Sequence, residues 1–431
     1  MEPPDIPFLR AVCAEPYGVW LDSSLWHPHL GVFSLCAAEP AAVLRAWGDR
    51  AEIEWTRGGR ESLRGDPFCM VRWLLEDGRF GRDGAAVGYL GYGLRRHIEA
   101  VPDAAEDDLG LPDCCLAFYQ RVRVFDPRHL CPPPASPPLG PPPAFCGLRS
   151  GFTREAYEAA VDRALAYIQA GDIYQVNISQ RFQAPCAEDP FDVYLRLRAQ
   201  SPAPFAAFLR YPDFAILSSS PERFLNYEPR SRMVETRPIK GTRPRAAAPD
   251  RDRALARSLL VSEKDRAENV MIVDLERNDL GRVAQVGSVK VAALCGLETY
   301  ATVHHLTSVV QARLREDRDI VDLLRATFPG GSITGAPKIR AMEIIDELEP
   351  VARGVYTGAI GYIRFTGEMD LNIAIRTMVL KDGVASFWVG GGIVADSDPG
   401  LEYEETLHKG AAMARALRAA SGQTSAGDDP P

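Results

Sequence analysis

The clearest alternation in the chain runs from Tyr174 to Phe182. Tyr174, Val176 and Ile178 point one way, while Gln175, Asn177, Ser179 and Arg181 point the other. A period of two predicts a strand with one polar face. That face is either solvated or the lining of a polar pocket. Just before it, Tyr157, Val161, Leu165 and Ile168 recur at helical spacing. They predict a helix opened by the capping residue Thr153 and ended at Gly171. Apolar runs predict further strands at 214–219, 234–238, 288–294, 358–365, 371–379 and 385–389. Helical periodicity predicts helices at 251–260, 263–280, 320–326, 337–348 and 402–419. Strands and long helices mix without regular βαβ alternation, so the expected class is α+β.

Before residue 131 the pattern is weaker: short apolar runs at 31–35 and 85–93, and no spacing of His, Asp or Cys that reads as a site. The run Cys131 to Cys146, CPPPASPPLGPPPAFC, removes backbone donors and forbids helix. It predicts an extended connector, set at 131–147, between an N-terminal region (1–130) and a larger C-terminal part (148–419). The polar segment 420–431 is expected to be disordered.

Composition narrows the class. A chain of 431 residues, 46% hydrophobic and 25% charged, is that of a globular protein with two ordinary domains or one large body. The net charge of -9 is spread along the chain, which leaves no basic footprint for nucleic acid. Nine cysteines without a C-x-x-C pair give no zinc spacing and fit reduced thiols of a cytoplasmic protein. No segment approaches the ~20 apolar residues of a membrane helix.

Several polar residues carry candidate chemistry. Glu268 shares a helical face with Met271, Ile272 and Leu275, so it needs a compensating cation, from a basic side chain or a metal. Glu402, Glu405 and Lys409 line one face of the last helix, as an exposed ion pair or as part of a site. Two carboxylate-bearing helices could together hold a hard ion such as Mg²⁺. Residues 329–338, PGGSITGAPK, lack the Lys-Ser/Thr that a P-loop requires, though free amides at the helix start could receive a carboxylate. Gly390, Gly391 and Gly392 form a tight turn or an anion-binding backbone. Arg376, on the expected 371–379 strand, suits either a surface or bidentate carboxylate binding. Lys240, between Ile239 and Gly241, is a surface lysine or a desolvated nucleophile. The pair His304-His305 and Glu222 are candidate proton handlers.

These words in this order resemble the chorismate-utilising enzymes. The resemblance rests on DIYQVN, SSSPERF, PIKGTRPR, SEKDRAENVMIVDLERNDLGRV, SVKV, VHHL, FPGGSITGAPKIRAMEIIDELEP, GAIGY, IRT, GGGIVADS and YEET. It is dense over 151–419, while the N-terminal region resembles the variable leading part of anthranilate synthase component I only weakly. The resemblance implies two antiparallel sheets in a sandwich with helices outside. Where anthranilate synthases typically read P-I-A-G-T, Lys240 resembles the branch that forms aminodeoxychorismate. There the lysine attacks ring C2 and ammonia then adds at C4. Gln175 stands where the water-activating branches carry a lysine, and an amide is no general base.

By the same resemblance Glu222 is the acid and Glu268, Glu405 and Glu402 hold Mg²⁺, with Asp265 in support. Tyr356, Arg376, Lys409 and the amides of Gly390, Gly391 and Gly392 bind substrate carboxylates. Thr242, Ser288, His305 and Gln175 line the site. Residues 21–24 fall where relatives carry a tryptophan pocket. No Gly-x-Cys-x-Gly turn is present, so a glutamine amidotransferase partner is expected to supply ammonia. Anthranilate synthesis and a noncatalytic chorismate-binding subunit are the competing expectations.

Overall fold

The structure is a computed structural model that describes residues 4–27, 29–130, 145, 147–300 and 303–418. Local signals near residue 153 act as expected: the Thr153 hydroxyl accepts from the Ala156 N–H, and Gly171 closes the helix Arg154–Ala170 at φ 83°. Ser262 caps Glu263–Gly281 by accepting from Asp265 N. Side-chain caps of this kind satisfy donors that the first helical turn leaves free.

Backbone pairing sorts the described strands into two antiparallel sheets, one of 10 strands and one of 12. In the first, Gln175–Pro185 pairs along its length with Val384–Ile393. In the second, Val303–Arg313 pairs with Met233–Arg237, Ile239–Pro244 and Lys290–Thr299. Residues before the proline-rich run enter both sheets: Val19–Asp22 pairs with Phe205–Arg210, and Ala85–Leu90 with Ala359–Arg364. The two sides of the connector therefore share their sheets. Of the expected connector (131–147) only 145 and 147 are described, and the expected tail (420–431) lies outside the described residues.

Between the sheets lie Val87, Tyr89 and Ile360 from one and Ile216, Val379 and Trp388 from the other. Each such side chain contributes roughly 1.5–3 kcal/mol when fully buried. Helices cover the outer faces: Leu197 and Met413 pack on Phe208 and Phe387, and Val273, Leu324 and Ile344 close the second sheet. This is the expected α+β sandwich. The seven described cysteines are free thiols, and no described helix is long and apolar enough to cross a membrane.

Three expectations are corrected. The stretch 371–379 is not one strand: Met369–Ile373 belongs to the 12-stranded sheet and Thr377–Lys381 to the other. Arg376 sits at the crossing with φ 50°, a conformation unusual outside glycine. Gly390–Gly392 is no turn; it lies within the strand Val384–Ile393. The strand expected from 288 starts at Lys290.

Candidate active site

Lys240 is aimed by a β-bulge. Lys240 pairs with Leu306 and Thr242 with His305, leaving Gly241 between them at φ 76°. That left-handed backbone favours glycine, and a Cβ there would also press within 2.8 Å of Asp265 Oδ1. Such bulges redirect neighbouring side chains. Here Lys240 Nζ donates to the Ser332 carbonyl at 3.0 Å, and Thr242 Oγ1 lies 2.9 Å from His305 Nδ1. Burial lowers the Lys240 pKa, against the upward pull of Glu268 and Glu222. An amine held toward neutrality has the free electron pair a nucleophile needs.

Ser332 belongs to the turn Gly331–Ile333, and Gly335–Ala336 pairs with the start of the Gln175–Pro185 strand. The glycine-rich segment thus braces Lys240 and a sheet edge. The helix after it begins at Lys338, whose ammonium binds Asp279 and the carbonyls of Thr327 and Pro329.

Glu222 follows the strand Phe214–Ser220 and is 4% exposed. Its Oε1 faces the Ile239 N–H at 3.5 Å. Burial pushes its carboxyl up, while the Ser332 hydroxyl and Lys240 pull it down. A carboxyl that retains its proton can act as an acid.

Across from Lys240, both amide atoms of Gln175 are buried and unpartnered. A Cβ on Gly392 would collide with that amide and lie 3.6 Å from Lys240 Nζ. On the next pleat, a Cβ on Gly391 would stand 3.0 Å from Glu402 Oε2, 3.6 Å from Glu405 Oε1 and 3.8 Å from Lys409 Nζ. The glycines clear space on both sides of the strand, which is why the sequence carries three in succession.

The carboxylates gather from two helices. Glu402 accepts from Ser397 Oγ at 2.7 Å and faces Lys264 Nζ at 3.6 Å. Glu405 pairs with Lys409 at 2.6 Å, and Lys409 also donates to the Gly390 carbonyl at 2.8 Å. Burial raises the pKa of Glu402 and Glu268, while Lys409 lowers that of Glu405. Asp265 is engaged elsewhere, pairing with Arg243 at 2.9 Å. Among the described residues no three acidic, histidine or cysteine side chains close on one point as a ready metal cage. The cradle over Gly391 offers a few carboxylate oxygens and room for others. That donor set fits magnesium, which uses one or two protein carboxylates with water and substrate oxygens.

Arg376 has no carboxylate partner among the described residues, and burial alone lowers its pKa. His305 is buried; desolvation first, then the Arg376 charge, hold its pKa down at about 3. Its imidazole is therefore neutral, suited to hydrogen bonding rather than to delivering a proton at neutral pH. His304 turns away, to Thr299 Oγ1 at 3.0 Å and Asp252 at 3.1 Å.

Tyr356 is buried inside the sandwich, its ring stacked on Trp388 at 6.3 Å with Arg353 at 5.8 Å. Ser288 is the expectation that fails. Its hydroxyl closes the turn before Lys290, donating to the Gln285 carbonyl and accepting from Arg313 N. Arg313 is at the opposite end of its strand from His305. Sequence reasoning missed Ser332 and Lys264. For Lys264 the signal was its position four residues before Glu268 on one helical face.

The model of the family described as chorismate binding enzyme matches residues 29–415. The chain is 42% identical over 407 residues to aminodeoxychorismate synthase component 1 of Salmonella typhimurium, covering 89% of each. It is 43% identical over 456 residues to anthranilate synthase component 1 of Pseudomonas putida, covering 96% of this chain and 92% of that one. The crystal structure of anthranilate synthase component I from Streptococcus pneumoniae superposes with a TM-score of 0.77 at 33% identity, covering 90% of this chain and 93% of the other. A match across nine-tenths of the chain, on a shared fold, makes this protein a chorismate-utilising member of the chorismate-binding enzyme family.

Proposed function

We propose that the chain is the synthase component that converts chorismate and ammonia to 4-amino-4-deoxychorismate, a precursor of 4-aminobenzoate. A separate glutamine amidotransferase subunit supplies the ammonia. The observation that supports this reading is the Lys240 amine, desolvated and held between the Glu222 carboxyl and the floor of Gln175 and Gly392. The relatives named component 1 of aminodeoxychorismate synthase favour it, and that name implies a second component.

Neutral Lys240 attacks ring C2 as the C4–O bond breaks, and Glu222 gives its proton so that the hydroxyl leaves as water. Ammonia adds at C4 as the C2–N bond breaks, which returns the lysine as a neutral amine. The new C4 ammonium gives a proton to the Glu222 carboxylate and restores the acid. The sum is chorismate plus ammonia to the 4-amino product plus water. Dividing one substitution into two lowers each barrier. Arg376 and Lys409 neutralise substrate carboxylates, and His305 with Thr242 hydrogen-bonds the ring substituents. Glu268, Glu405 and Glu402 would hold Mg²⁺, which supplies charge for a substrate carboxylate and fixes its orientation.

The test is the product formed from chorismate, Mg²⁺ and ammonium, before and after adding a lyase that releases 4-aminobenzoate. The expected result is 4-aminobenzoate only after the lyase. Direct appearance of 2-aminobenzoate, with no 4-amino product, would assign the chain to anthranilate synthesis, the activity its Pseudomonas relative is named for.

A further inference from the structure

Three lysine side chains surround the carboxylate cluster, and they are held very differently. Lys240 Nζ is fixed by the Ser332 carbonyl at 3.0 Å. Lys409 Nζ is fixed between Glu405 at 2.6 Å and the Gly390 carbonyl at 2.8 Å. Lys264 reaches its nearest carboxylate oxygen, on Glu402, only at 3.6 Å, and its side chain is 45% exposed. That separation lies beyond a hydrogen bond. Its charge nevertheless acts on all three carboxyls, opposing the effect of burial on Glu268 and Glu402 and adding to that of Lys409 on Glu405.

The charge count follows from these positions. The ammonium charges of Lys264 and Lys409 therefore offset most of the charge that Glu268, Glu402 and Glu405 bring together. A dication entering alone meets the ammonium groups of Lys264 and Lys409. Both side chains are partly exposed, 45% for Lys264 and 40% for Lys409, but only Lys264 can swing away without breaking a hydrogen bond. A dication arriving with a dianionic substrate leaves the balance unchanged.

We propose that Lys264 is a displaceable counter-ion of the carboxylate cluster, which weakens divalent-metal binding to the free enzyme and thereby couples metal binding to binding of the dianionic substrate. This rests on the cluster being the metal's place, as in the function proposed above. The coupling is reciprocal: whatever chorismate adds to metal affinity, the metal adds to chorismate affinity. A unit charge several ångströms from a dication in a partly solvated site changes affinity by roughly tenfold.

Free Mn²⁺, counted by electron paramagnetic resonance, measures this on the full chain without turnover, with ammonia omitted. Lys264→Met is expected to bind Mn²⁺ about tenfold more tightly than the wild type in the absence of chorismate, and to gain less affinity when chorismate is added. Lys264→Arg keeps the charge and should behave as the wild type. Equal or weaker Mn²⁺ binding by Lys264→Met overturns the proposal while leaving the metal site intact. If Glu268→Gln and the wild type bind Mn²⁺ alike under every condition, the metal site itself is wrongly placed and the proposal falls with it.

Discussion

Two pairs of cations within the same fold are treated in opposite ways. Arg353 donates to Glu349 twice, to the carbonyls of Ile333 and Asn177, and to Thr357. Lys338 is likewise enclosed by Asp279 and two carbonyls. Arg376 has no such carboxylate, and Lys240 has one carbonyl. The consequence is visible in their acidity: the Glu349 charge and hydrogen bonds hold Arg353 above the ordinary guanidinium range despite burial, whereas burial lowers Arg376 and Lys240. A cation satisfied by its own chain stabilises the fold. One left short of partners costs stability until an anion or a reacting carbon arrives.

The sharpest way to break that contrast is at Lys240. Lys240→Ala should lower kcat for the 4-amino product by about 10³-fold or more, since no other amine stands in its place. Chorismate binding should persist, because the carboxylate-binding cations are untouched, and the thermal midpoint should stay within a few degrees. Quenched product assays together with equilibrium binding distinguish the outcomes. Unchanged output of the 4-amino product would remove the covalent route.

Sequence periodicity revealed the supports of this site better than the site itself. The alternation from Gln175 to Arg181 and the caps at Thr153 and Ser262 are local, and the fold keeps them. The break at Arg376 was not legible, because the apolar alternation through Ile373 and Ile375 continues across a residue whose backbone changes hand and sheet. The purpose of Gly390–Gly392 was also hidden. Glycine read as a turn, but the strand needs it for clearance, a fact that depends on α-helical carboxylates distant in sequence. Convergence of Glu268, Glu402 and Lys240 came from the family resemblance; spacing alone left each of them ambiguous. Ser288 shows the cost of that route, since a serine in a matching position closes a turn instead.

The arginines test the comparison more directly, with a smaller effect. Arg353→Met leaves the Glu349 carboxylate buried without its cation, so it should destabilise the fold by about 3–5 kcal/mol, read as a lower urea midpoint. Arg376→Met strands no carboxylate. Its urea midpoint should hold or rise, while kcat/KM for chorismate falls by roughly 10²-fold, a loss of ~3 kcal/mol in binding a charged group. The two variants should therefore separate stability from turnover. If both lose stability to a similar extent, Arg376 is a structural residue like Arg353 and the distinction fails.

The smallest effect lies beside Arg376, in His305. Its folded pKa of about 3 stands below the ordinary imidazole value because burial and the Arg376 charge both oppose protonation. Between those two values the unfolded chain binds a proton that the folded chain refuses. The stability it contributes is thus complete above about pH 6.5 and is lost as pH falls toward 3, by at most ~1.4 kcal/mol per pH unit. His305→Asn cannot take up that proton and removes only this contribution, leaving the carboxylates to titrate as before. Urea midpoints at pH 7 and pH 5 should then show the wild type losing about 1–2 kcal/mol more than the variant over that interval. Parallel losses in the two proteins would mean that the imidazole charges freely in the folded state. The neutral pocket beside the unpaired arginine would then be open to water, and the electrostatic contrast with Arg353 would be correspondingly weaker.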